Sequence, residues 1–139
     1  MVTDSRYEAA VLPRNVRSPV NDVVMIDHEL GSAVGDQGLI LETANGGKSW
    51  KKTELKEAIP VLEQMDFHCI CHQAGQLYIS GSPGTLIVRI GSILSDTNPP
   101  EAQLIPVPGT SRLNQFRFVD DKHGWAVGTV GTILSTSCL

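Results

Sequence analysis

Residues 21–43 read NDVVMIDHELGSAVGDQGLILET, and residues 114–136 read NQFRFVDDKHGWAVGTVGTILST. The two stretches align without a gap at an offset of 93 residues. Identities include Asn21/Asn114, Asp27/Asp120, Gly31/Gly124, Ala33/Ala126, Val34/Val127, Gly35/Gly128, Gly38/Gly131, Ile40/Ile133, Leu41/Leu134 and Thr43/Thr136. A weaker copy lies midway: Gly81 and Gly84 follow Gly35 and Gly38 by 46 residues and precede Gly128 and Gly131 by 47. A fixed period in this range marks an array built from one supersecondary unit. Such a repeat specifies a scaffold, and a scaffold leaves function to its surface.

The first unit reads as four strands. Residues 21–26 are β-branched and apolar, and 27–31 form a polar, glycine-ended turn. Residues 32–35 make a second strand, and Gly38 supplies a tight connection to a third at 39–43. Asn45-Gly46-Gly47 is a hairpin signal, and the alternating polar run 49–54 suits an outer strand. Four short antiparallel strands within about 46 residues make one β-propeller blade. The second unit repeats the plan at 67–71, 76–80, 85–90 and 103–107, with a turn at 81–84 and a loop at 95–100. Pro106 there suits an edge strand. The third runs through 115–119, 125–128 and 132–136, with no outer strand following in the sequence. Residues 54–64 have a weak helical pattern interrupted by Pro60, and read as a linker with a single turn.

The expected fold is therefore all-β, a propeller-type array of about three four-stranded antiparallel blades at about 19–58, 62–108 and 112–139. Residues 1–18 form an N-terminal segment available as a closing strand. A propeller needs at least four blades to close, so three leave the ring incomplete within one chain. Two arrangements fit. The segment from Tyr7 to Val16 seals the last blade, or two chains join into a six-blade ring by two-fold symmetry. The second is favoured, because a half ring leaves apolar faces wet.

Thr43-Ala-Asn45-Gly-Gly47-Lys-Ser-Trp50 resembles the Asp-box, a hairpin plug in which a hydroxyl and an amide or carboxylate bond the turn and an aromatic packs beneath it. Here Asn45 stands where the box usually has Asp. Together with the pattern Ala-Val-Gly-x-x-Gly-x-Ile-Leu, the chain resembles the photosystem II stability/assembly factor family. It is more distantly similar to the bacterial neuraminidase repeats of sialidase-like propellers. The first resemblance implies a non-enzymatic protein-binding or assembly scaffold. The second implies a fragment of a glycoside hydrolase, and a truncated product without a defined role is a further alternative.

Bulk properties narrow the classes. The net charge of −4 lacks the basic excess of a general nucleic-acid binder. No apolar stretch reaches bilayer length, which argues against membrane insertion. The start carries no signal-peptide pattern, so the sequence as written reads as cytoplasmic. Relatives in the resembled family are often exported or lumenal. Three cysteines, two of them only two residues apart, argue against a disulfide framework.

Candidate chemistry is sparse. His68-Cys69-Ile70-Cys71-His72 alternates in a strand, which puts the cysteines and histidines on opposite faces and excludes one tetrahedral site. No metal or other cofactor is expected. Asp27 and Asp120 recur in register ahead of glycine, which is turn chemistry; Asp121 adjoins the second. A sialidase site needs an arginine cluster and a Tyr/Glu pair. Tyr7 precedes the repeats, Tyr78 aligns with Trp125 at a packing position, and the arginines are scattered. No catalytic residue is assigned. Arg112 and Arg117 flank the start of the third blade, at a rim where a protein partner can bind.

Overall fold

Short β-branched runs punctuated by glycine turns give eleven strands among the described residues of a computed structural model. It describes residues 9–55, 59–83, 86–91, 101–107, 112–120, 123–129, 131 and 133–136. Tyr7, Gly84, Asp121 and the loop 95–100 lie outside the described residues. The first blade holds β1 (Val20–Met25), β2 (Gly31–Gly35), β3 (Ile40–Thr43) and β4 (Lys51–Lys52). A 3-10 turn, Pro60–Gln64, leads to the second. That blade holds β5 (Asp66–Gln73), β6 (Gln76–Ser82), β7 (Leu86–Ile90) and β8 (Ala102–Pro106). The third holds β9 (Leu113–Phe118), β10 (Gly124–Gly128) and β11 (Ile133–Thr136). Neighbours within each sheet follow chain order and every pair is antiparallel, as in propeller blades.

Each first strand carries a β-bulge at the same place. Val20 pairs with Gly35 and Asp22 with Val34, leaving Asn21 extra. Phe67 pairs with Gly81 and Cys69 with Ser80, leaving His68 extra. Leu113 pairs with Gly128 and Gln115 with Val127, leaving Asn114 extra. A bulge reverses the alternation of side chains along a strand. Phe67 and Ile70 therefore share one face of β5 while Cys69 and Cys71 occupy the other. The strict alternation expected from the sequence breaks at His68, whose Nε2 lies 3.3 Å from Ser82 Oγ.

The glycines opposite the bulges are required by space. A Cβ on Gly35 would land on the carbonyl oxygen of Pro19, and one on Gly81 on that of Asp66. This accounts for the conserved spacing of Gly35 and Gly81 within the repeat.

The core lies in the two seams between blades. Val34, Ile40, Leu62, Met65, Phe67, Ile70, Leu77, Ile79, Val88 and Ile90 fill the first. Cys69, Tyr78, Ile87, Leu113, Phe116 and Ala126 fill the second. Burying each large apolar side chain contributes roughly 1.5–3 kcal/mol. Backbone bonds fasten the first seam: Ile70 N donates to Asp22 Oδ2 at 3.0 Å, and Gly38 N to Met65 O at 2.7 Å. Asn21 Nδ2 also reaches Phe67 O, 2.8 Å away.

Val11 lies along the first blade; sealing of the last blade by Tyr7 to Val16 is one of the two arrangements the sequence leaves open. Val11 pairs in parallel with Ser49. Its N–H donates to Lys48 O and its carbonyl accepts from Trp50 N, both at 2.8 Å. Val16 packs with Trp50 on Ala33, Leu39 and Leu41. The fourth strand spans only Lys51–Lys52, shorter than the expected 49–54, although Thr53 N still donates to Ile40 O at 2.9 Å. No helix among the described residues is long and apolar enough to cross a membrane.

Candidate protein-binding surface

Thr43, Asn45, Gly47 and Trp50 stand together in the hairpin from β3 to β4. The buried Thr43 hydroxyl lies 2.8 Å from Ser49 O and 2.9 Å from Asn45 Oδ1, and accepts from Gly47 N at 3.0 Å. Asn45 Oδ1 accepts from Ser49 N at 3.0 Å, and its Nδ2 donates to Ser49 Oγ at 2.7 Å. Gly46 and Gly47 take φ of 74° and 85°, which glycine adopts without strain. Trp50 Nε1 donates to Gly47 O at 3.0 Å, so the half-buried indole folds back over its own turn. Every polar atom named here is spent on holding the hairpin, which makes the box framework.

Asp27 likewise serves a turn. Its Oδ1 accepts from Glu29 N and Leu30 N, both at 2.7 Å. The Leu30 and Glu29 bonds hold its carboxyl below the usual range. Asp120 does the same at the equivalent turn, accepting from His123 N at 2.8 Å.

The rim formed by the bulges and the β2–β3 connection gathers polar groups from adjacent blades. Asn21 Nδ2 bonds Asp36 Oδ1 at 2.8 Å, and Gln37 N bonds Asp66 Oδ1 at 3.0 Å. Arg112 immediately precedes β9 on this rim and is exposed. Partial burial, and then the neighbouring Arg112 charge, push the His68 pKa below its ordinary value. Arg117 lies inside β9, half a strand away, and faces the open side of the third blade. Among the described residues neither arginine is paired with a carboxylate. The structure therefore does not join the two into one cluster.

The cysteines sit in the second seam. Burial raises the Cys69 thiol to about 11, against the opposing pull of the Phe116 backbone N–H. Burial also raises Cys71. Among the described residues no group of His, Cys, Asp and Glu is arranged to hold a metal ion. The Tyr78 hydroxyl donates to Gln76 Oε1 at 3.0 Å and the ring is buried between blades, a packing role.

Trp125, aligned with Tyr78, was expected to pack as well. Among the described residues it is exposed. The surface of Gln115, Trp125, Val127 and Ile133 is the feature that sequence reasoning missed. Its signal was available: Val127 and Ile133 repeat Val34 and Ile40.

Blade order, bulges and the plugged hairpin define a segment of a β-propeller of the neuraminidase-repeat type. The chain belongs to the Photosynthesis system II assembly factor YCF48 family, whose family model matches residues 2–90, well over half its length. No curated protein matches. A solved structure of YCF48 bound to D1 peptide superposes with a TM-score of 0.75 at 21% identity, covering 99% of this chain and 41% of that one. YCF48 from Cyanidioschyzon merolae superposes with a TM-score of 0.70 at 18% identity, covering 90% of this chain and 38% of that one. The chain thus spans about two fifths of the length of these propellers.

Proposed function

We propose that this chain is a non-enzymatic protein-binding module acting in the assembly of a photosystem II component. The observation that carries this reading is the family match across residues 2–90. The structure supports it in one respect: the polar residues of the repeat, Thr43, Asn45, Asp27 and Asp120, are occupied by turn bonds, leaving the rim and flanks as the surfaces with uncommitted groups. The two arginines serve different partners. Arg112, on the rim, contacts the external protein, and Arg117, on the flank, contacts a neighbouring blade. That neighbour belongs to a second copy, completing a six-blade ring. The free thiols of Cys69 and Cys71 support a reducing compartment such as the cytoplasm.

The test uses a fluorescent D1 peptide, the kind of ligand that the solved YCF48 holds. Binding is measured by anisotropy against salt, since a contact made by an arginine weakens as ions screen it. Arg112→Glu should abolish binding at moderate salt. No binding by the wild-type chain in either monomeric or assembled form overturns the reading.

A further inference from the structure

The first two blades each tie their bulge residue to the residue just past the paired glycine of the second strand. In the first blade Asn21 Nδ2 donates to Asp36 Oδ1 at 2.8 Å. In the second, His68 Nε2 lies 3.3 Å from Ser82 Oγ. Asn114 holds the bulge of the third. Of the three bulge residues only His68 titrates.

The position two residues before each bulge is held by Pro19, Asp66 and Arg112. The carbonyls of Pro19 and Asp66 face the glycines opposite. Those of Pro19 and Arg112 accept the Asp36 and Thr129 N–H groups, both at 3.1 Å. The first seam is closed at this level by a carboxylate. Asp66 Oδ1 accepts the Gln37 N–H at 3.0 Å, and Asn21 Nδ2 crosses to Phe67 O at 2.8 Å. At the second seam the equivalents of Asn21, Gln37 and Asp66 are His68, Pro83 and Arg112. Proline has no N–H to give, and a guanidinium cannot accept one. The second seam therefore sets an imidazole beside a guanidinium where the first has a carboxylate.

Charged groups from three elements face the imidazole: Asp36 just past β2, Asp66 at the start of β5 and Arg112 ahead of β9. β6 adds the neutral Ser82 hydroxyl, and β1 the neutral Asn21 amide beside the adjoining Phe67 carbonyl. Partial burial and then Arg112 disfavour the charged ring, against the opposing pull of Asp36 and Asp66. A carboxylate seated against both His68 and Arg112 would offset that burden and draw a proton onto the ring.

We propose that His68 and Arg112 form a proton-gated seat for a carboxylate of an acidic peptide segment, filled when the imidazole is protonated. The occupant is acidic because the same place in the first seam is closed by the Asp66 carboxylate, and because two basic groups stand here without one among the described residues. The proton comes from solvent, and no covalent bond to the ligand forms. The inference rests on the rim reading of Arg112 above and adds the condition under which that rim engages.

The test follows the histidine ring protons of the full chain by NMR, with pentaglutamate at millimolar concentration and pentaglutamine as the neutral counterpart. Glutamate stays largely ionised above about pH 5.5. Pentaglutamate binding should strengthen as the pH falls from about 8 to about 5.5, roughly tenfold for each unit by which binding raises the His68 midpoint. Pentaglutamine should not bind. His68→Asn installs the side chain that the other two bulges carry, so the bulge should keep its fold, and its pentaglutamate affinity should be flat across this range. Arg112→Gln should raise the His68 midpoint in the free protein, because a repelling charge is gone. A wild-type affinity that is flat with pH overturns the proposal. So does a slope that survives in His68→Asn, or a His68 midpoint indifferent to Arg112→Gln. A flat response beside intact D1-peptide binding overturns this inference alone, whereas D1 peptide that fails to bind at any pH overturns the functional reading.

Discussion

The backbone N–H of Ile70 meets the carboxylate of Asp22 at 3.0 Å across the seam between the first two blades. One acidic side chain thus satisfies a donor that belongs to the next repeat. Asp22→Ala leaves that N–H without its acceptor and should cost about 1–3 kcal/mol in urea unfolding. Asp22→Asn keeps an acceptor oxygen and should cost less than half as much. Equal losses for the two variants would show that the bond contributes nothing.

Gly81→Ala should destabilise by about 1–3 kcal/mol, because the new methyl meets the Asp66 carbonyl and the bulge must shift. Gly75→Ala is the control. Its φ of 76° carries strain, but nothing lies within 4 Å of a Cβ there. Thermal unfolding of the two variants separates collision from backbone strain. A Gly81 variant no worse than the Gly75 one would refute the collision.

In the Asp-box, Thr43→Val removes a buried hydroxyl that accepts from Gly47 N and donates within the turn. The expected loss is about 1–3 kcal/mol. Trp50→Ala should cost about 2 kcal/mol, below the roughly 3–5 of a fully buried aromatic, because the indole is only partly buried. Guanidinium unfolding checks both. A Trp50 loss larger than the Thr43 loss by several-fold would mean that the plug works by packing and not by bonding.

Cys69 predicts a pH dependence. Burial raises its thiol from 9.0 to about 11, so the folded state favours the protonated form. The associated stability is complete below pH 9 and is lost as pH rises through 11. Relative to Cys69→Ala, the wild type should lose stability across that window. Thiol labelling followed by mass spectrometry should find Cys69 protected until the protein unfolds, and Cys71 reacting earlier. Equal reactivity in native buffer would contradict the seam geometry.

Blade number and strand order were legible because glycine spacing is a composition signal. Gly35 and Gly81 each face a carbonyl that excludes any side chain, so the spacing cannot drift. The bulges were not legible. Asn21, His68 and Asn114 share no single side-chain chemistry, and one extra residue leaves no periodic trace. Without the bulge, His68 was assigned to a face of the strand, whereas it sits on the rim beside Ser82. The docking of Val11 on Ser49 was equally hidden, because a lone backbone pairing needs no particular side chain. The rim position of Arg112 followed from strand order; the flank position of Arg117 required the register of β9.

The first strand of the middle blade, β5, holds both an upstream and a downstream contact surface within half a dozen residues. That arrangement has a hereditary meaning. A blade duplicated in tandem brings along both partners of the contact it must make, so a gene can lengthen or shorten the array by whole units without inventing a new fit. The acceptor at the seam is then free to diverge, as carboxylate and thiol have done at Asp22 and Cys69, because the donor it serves is main chain and never mutates away.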